Sequence, residues 1–184
     1  MNTLFGTKPP GKLRNRVMLI VAIVLLVIGA TLLILTNFVI TTSAVSGPSM
    51  YPTLHENDVL LIRRGYPDPA RGDIVLIGRE ITDSSGPRPG LIKRVIAIPG
   101  DSVSVDTGRA FVDGQAEPDA YTVILSSEDL SFREQTLAQG SIFVLGDNRP
   151  ISRDSRIFGP VQIPQVDGRA IAIIWPPDRA RAFD

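Results

Sequence analysis

The sequence predicts a mostly β protein, with one N-terminal apolar helix followed by an antiparallel β-sheet domain that carries a small inserted β lobe. Three observations predict it. Val17 to Ile40 is a block of 24 residues without a charge, in which only Gly29, Thr31, Thr36 and Asn37 are not apolar. Beyond it the apolar residues come in strand-sized runs bounded by Gly, Pro and Asp, not in stripes of helical period. Charge is also split: no acid precedes Glu56, and basic residues lead the apolar block.

The elements follow in order. Residues 1–16 hold Lys8, Lys12, Arg14 and Arg16 and read as a basic cytoplasmic N-terminus. As a helix, residues 17–40 would be roughly 36 Å long, enough for a hydrocarbon core of about 30 Å. Thr42-Ser43-Ala44 resembles a small-residue cleavage site, but the apolar part of a cleavable signal runs only about 7 to 15 residues, so a retained transmembrane anchor is expected. The positive-inside rule then puts the chain in the cell (cytoplasmic) membrane as a single-pass protein, with residues 41–184 as the extracytoplasmic domain. Strands are expected at Val59–Ile62, Ile74–Ile77, Leu91–Ile98, Ser102–Val105, Ile142–Leu145 and Ala170–Trp175. Asp113-Gly114 after Ala110-Phe111-Val112 marks a hairpin, because both central residues of its turn need positive φ. Ser127–Gln139 reads as a short helix or loop. Glu80–Gly90 and residues 102–140 read as excursions, the second forming the β lobe.

Composition removes several function classes. The chain has 184 residues and no net charge, but past residue 16 it holds 15 basic residues against 19 acidic ones. A mildly acidic domain argues against nucleic acid as a partner. The absence of cysteine excludes disulfides, thiolate zinc sites and cysteine nucleophiles. A single histidine, His55, excludes a multi-histidine metal site, and no GxxxxGK or GxGxxG string offers a phosphate cradle. No metal and no cofactor are expected.

The chemistry points to Leu91–Ile98. Both alternating faces of this strand are apolar, yet Lys93 and Arg94 interrupt it. Arg94 can stay charged beside a carboxylate. An ammonium among apolar neighbours loses basicity by desolvation, so Lys93 is either a neutral base or a side chain that snorkels to solvent. A base needs a client, and Ser49 sits in a stiff, proline-flanked turn, Ser46-Gly47-Pro48-Ser49-Met50-Tyr51-Pro52, just past the anchor. A serine hydroxyl attacks only when a neighbour takes its proton. Spacing alone also leaves a Ser49–His55 arrangement open, though no third group supports it. The cluster Gly146 to Arg156 is either a solvated turn or a loop that orients Lys93 and pairs its charges.

Ser46–Leu54, Arg71-Gly72-Asp73-Ile74-Val75, Leu91–Asp101 (LIKRVIAIPGD), Gly146–Gly159 (GDNRPISRDSRIFG) and Gly168-Arg169-Ala170-Ile171-Ala172 resemble, in order, the sequence boxes of bacterial type I signal peptidases. With the anchor, the similarity spans about residues 17 to 175. The resemblance implies a membrane-bound serine endopeptidase of signal-peptidase fold that removes signal peptides from exported preproteins after Ala-X-Ala-like segments. It implies that Ser49 is the nucleophile and Lys93 the general base, that Ser152 hydrogen-bonds the lysine, and that backbone N–H groups near Gly47 and at Ser49 form the oxyanion hole. By the same resemblance Arg94, Asp154 and Arg156 brace the site, Asp147 and Asn148 belong to the same box, and Met50, Leu54, Leu91 and Ile92 line pockets for small side chains. Two departures stand out. Pro150-Ile151 replaces a usual polar pair, and Leu91 stands where an aromatic residue is common. Neither removes a reacting atom. Partners are therefore exported preproteins and the lipid bilayer, and Ser49, nine residues past Ile40, lies within roughly 32 Å of the membrane face.

Three other readings compete: a self-cleaving DNA-damage repressor, which would need a DNA-binding module where the anchor stands; a non-enzymatic anchored β module; and a peptidase dedicated to one client precursor.

Overall fold

A computed structural model describes residues 11–78, 82–83, 86–87, 90–118, 122 and 131–183. The chain divides into two units, residues 1–39 and 40–184. The first is helix α1 (Gly11–Phe38), which begins six residues before the apolar block. Arg14–Ile34 is long and apolar enough to cross a membrane, and none of it is buried in protein. A helix apolar on all sides needs a surrounding that is not water.

The second unit is built on one curled antiparallel sheet. Its strands are β1 (Ile40–Ala44), β2 (Val59–Arg64), β3 (Ile74–Ile77), β6 (Leu91–Ala97), β11 (Ser141–Leu145), β12 (Val161–Gln162), β13 (Val166–Trp175) and β14 (Arg181–Ala182). Their order is β1-β2-β13-β3-β6-β11-β12, with β14 added to β13. Thus β1 takes up the chain where the anchor was expected to end, its β-branched Ile40, Thr41 and Thr42 pairing with Arg63, Ile62 and Leu61. Strand β6 is central, between β3 and β11, and its last five residues are buried, as two apolar faces require. Gly168 lets β13 cross close to β2, because a Cβ there would lie 2.3 Å from the Arg63 carbonyl oxygen.

The inserted lobe is a four-stranded sheet of β7 (Ser102–Asp106), β8 (Arg109–Val112), β9 (Gln115–Ala116) and β10 (Phe132–Thr136), in the order β10-β7-β8-β9. Asp113 and Gly114 both take positive φ, +52° and +76°, as the hairpin turn demands. Residues 132–136, expected within a helix or loop, form β10 instead: pairing with β7 satisfies their backbone although four of the five are exposed. The rest of Ser127–Gln139 up to residue 130 lies outside the described residues, as does most of Glu80–Gly90, where β4 (Thr82–Asp83) pairs with β5 (Gly86–Pro87).

Three buried clusters hold the second unit together. One joins the lobe to the main sheet through Val103, Val105, Ala110, Ile96, Phe143 and Leu145. Another, with Val75, Ile77, Val95, Ile142, Val144 and Val161, lies under the central strands. The third packs Val45, Met50 and Leu54, from the segment after β1, on Leu60, Ile62, Ile74 and Ile173. This last cluster seats the loop that carries Ser49.

Candidate active site

The register of two strands assembles the site. Leu145, the last residue of β11, pairs with Arg94 of β6, so the chain leaves β11 at Gly146 directly beside Lys93 and Arg94. The loop after β1 reaches the same place from the far side of the sheet. Its path is fixed by apolar burial of Met50 and Leu54 and by two tight backbone hydrogen bonds, from Tyr51 N–H to the Pro48 carbonyl and from Leu54 N–H to the Met50 carbonyl.

Ser49 and Lys93 meet there. Lys93 Nζ lies 2.8 Å from Ser49 Oγ and donates a hydrogen bond to it. Lys93 is 3% exposed, so it does not snorkel. Its burial pulls the ammonium down to a pKa of about 8; the Asp154 and Asp147 carboxylates oppose that pull, and Arg156 adds to it. His55, the other candidate base, stacks on Tyr51 with ring centroids 5.2 Å apart.

Gly146 explains how two loops come so close. A Cβ on this residue would lie 2.5 Å from the Ser49 carbonyl oxygen and 2.1 Å from Ser152 Oγ. Asn148 then ties the loops together, its N–H donating to the Ser49 carbonyl at 3.0 Å and its side-chain amide to the Pro48 carbonyl at 3.2 Å. Gly47 has φ +79°, a conformation that L side chains rarely adopt. Ser152 is buried within this junction, but its hydroxyl has no hydrogen-bond partner among the described residues. The expected bond to Lys93 is therefore not formed.

The bracing charges pair differently from a single network. Arg94 makes a two-pronged bond to Asp147, with Nε to Oδ1 at 2.8 Å and a terminal nitrogen to Oδ2 at 2.7 Å. It also donates to the Gly72 carbonyl. Asp154 pairs with Arg156 in the same fork geometry and accepts the Gly146 N–H at 3.0 Å. Arg156 donates onward to the carbonyls of Arg149 and Ser152. Asp147 therefore ties the start of the Gly146–Arg156 loop to β6, and Asp154 ties the two ends of the loop together.

Of the expected pocket residues, Met50 and Leu54 are fully buried in the core, and Leu91 and Ile92 are half-buried. Ile92 packs on the same cluster as Met50 and Leu54, beneath the Ser49 loop, and Leu91 packs on the central-strand cluster. Sequence reasoning missed Arg149, which is completely buried, pairs with Glu117 of the lobe and donates to the Gly146 carbonyl. It also missed Thr53, whose hydroxyl donates to Asp147 at 2.5 Å. A buried arginine in a polar run and a threonine in a turn carry no local signal.

Residues 14–175 match the sequence model of a family described as signal peptidase, peptidase S26. The chain is 35% identical over 149 residues to signal peptidase I of Leptolyngbya laminosa, covering 78% of this chain and 72% of that one. It is 33% identical over 145 residues to mitochondrial ATP-independent inner membrane protease subunit 1b of Arabidopsis thaliana, covering 77% and 73%. A crystal structure of a signal peptidase I from Enterococcus faecalis is 28% identical, with a TM-score of 0.44, over 55% of this chain and 96% of that one. A serine hydroxyl hydrogen-bonded to a buried lysine has the chemistry that a serine hydrolase uses. The chain belongs to the signal peptidase family, peptidase S26, and is a serine endopeptidase.

Proposed function

We propose that this protein removes signal peptides from exported preproteins, with Ser49 as nucleophile and Lys93 as general base. The observation that carries the reading is the 2.8 Å contact between Ser49 Oγ and a lysine nitrogen whose burial brings its pKa to about 8. When Lys93 is neutral the same contact reverses, and the hydroxyl donates to the amine. Ser49 Oγ then bonds to the scissile carbonyl carbon while its proton passes to Lys93 Nζ. Backbone N–H groups at Ser49 and near Gly47 receive the oxyanion. Collapse of the tetrahedral intermediate breaks the C–N bond, and Lys93 returns the proton to the leaving amine. Lys93 next deprotonates a water that cleaves the Ser49 ester, and the proton passes back to Ser49. No metal or cofactor enters this cycle.

The apolar helix anchors the chain in the cell membrane, and the basic residues ahead of it keep residues 1–16 in the cytoplasm. The β unit then works outside the cytoplasm, where signal peptides emerge. The test is cleavage of several unrelated Ala-X-Ala preproteins by detergent-solubilised full-length protein. Wild type should cut each at the expected junction, with activity rising as pH passes about 8. Folded Ser49→Ala and Lys93→Met should be inactive. Cleavage by Lys93→Met would return the role of base to His55, and processing of one precursor alone would favour a dedicated peptidase.

A further inference from the structure

The match to the family stops at residue 175, yet residues 176–183 turn back onto the loop that carries Ser49. Pro177–Arg179 form one short helical turn, β14 pairs with β13 through Ala172↔Ala182 and Ile173↔Arg181, and the Phe183 N–H donates to the Ile171 carbonyl. Phe183 packs on the cluster that contains Met50 and Leu54.

Two arginines of this strap reach the loop. Arg179 forks onto Asp58 at 2.8 and 2.9 Å and also points a nitrogen at the Thr53 carbonyl, 3.5 Å away. Arg181 donates to the same carbonyl at 3.0 Å. Asp58 is 1% exposed and also accepts the His55 N–H, closing the end of the loop. Thr53 is thus held at both ends: its carbonyl by the strap, its hydroxyl by Asp147, the partner of Arg94. Thr53, Arg94, Arg181 and Phe183 line one cavity of about 450 Å³.

We propose that Arg179 and Arg181 are positioning residues that hold the Ser49 loop against Lys93. The inference rests on the reading of Ser49 and Lys93 as nucleophile and base. Neither arginine touches the reacting atoms. Their role is to keep Ser49 Oγ at attack distance, where a displacement of about 1 Å can cost on the order of 100-fold in rate.

The experiment uses the full-length chain in detergent and compares Arg179→Gln, Arg181→Gln, the double variant and Arg179→Lys. Two readouts are taken: kcat and KM on an Ala-X-Ala peptide, and hydrogen exchange of the amides of Tyr51, Leu54 and Asn57. In the double variant kcat should fall about tenfold or more with KM little changed. Exchange at those three amides should speed up while β6 and β11 stay protected. Arg179→Lys should recover part of kcat, because it keeps the charge and loses the fork. Unchanged exchange in the double variant overturns the proposal whatever the activity. So does a kcat that stays at wild-type level, or a uniform loss of protection across the β unit. If exchange responds as expected but wild type cleaves nothing, the assignment of Ser49 and Lys93 fails while the strap's grip on the loop stands.

Discussion

Lys93 is costly to bury, and the cost has a definite pH dependence. In the unfolded chain its ammonium has the ordinary value of 10.5; in the fold burial lowers it to about 8. Below pH 8 both states hold the proton, so the folded protein carries the full penalty, about 3 kcal/mol. Between pH 8 and 10.5 the unfolded state binds more protons, so stability rises with pH, and above 10.5 the penalty is gone. Lys93→Met, which removes the charge and keeps the volume, should therefore stabilise the β unit most at pH 7, with the gain shrinking to nothing by about pH 10.5. Urea titrations of both proteins, followed by the fluorescence of Trp175, the only tryptophan, check this. A gain that grew with pH would mean that the fold raises the Lys93 pKa above its unfolded value, the opposite of what burial does. The same penalty explains why this residue was legible from sequence: few strands keep a cation between apolar faces unless something uses it.

At the scale of elements, the site depends on how closely the loop after β11 approaches the loop after β1, and Gly146 sets that distance. In Gly146→Ala the new Cβ would sit 2.5 Å from the Ser49 carbonyl oxygen, a backbone atom that can yield only if the whole loop moves. Overpacking of this kind costs about 1–3 kcal/mol. The larger effect should be on rate, a loss on the order of 100-fold in kcat from displaced Ser49, measured together with the urea midpoint. Retention of both would show that the loops have slack. The elements themselves were unevenly legible. Runs such as Ile74–Ile77 and Leu91–Ala97 announced themselves because burial selects β-branched and apolar residues. Strand β10 did not, because Arg133, Glu134, Gln135 and Thr136 face solvent and Phe132 alone of the five packs inward, against Phe143. Likewise the pairing of Arg94 with Asp147 depends on the β6–β11 register, which no local pattern encodes.

For the whole molecule, the two units divide the labour. Among the described residues, the three buried clusters lie within residues 45–183. The Ser49 and Lys93 contact, the two forked ion pairs and the strap are also contained in the β unit. On the proposed reading helix α1 supplies place: an anchor that confined enzyme and signal peptide to one bilayer would raise their effective concentration, a gain that can reach about 10²-fold or more without any new contact. A chain beginning at Ile40, which keeps β1 and its five pairs with β2, should fold with the urea midpoint of the full-length protein. It should cleave a short soluble Ala-X-Ala peptide with unchanged kcat/KM. Against a preprotein inserted in vesicles the same truncated chain should lose on the order of 100-fold relative to the anchored enzyme reconstituted in those vesicles. Equal loss on both substrates would mean that the helix shapes the site itself, and equal retention would mean that membrane confinement contributes nothing to substrate capture.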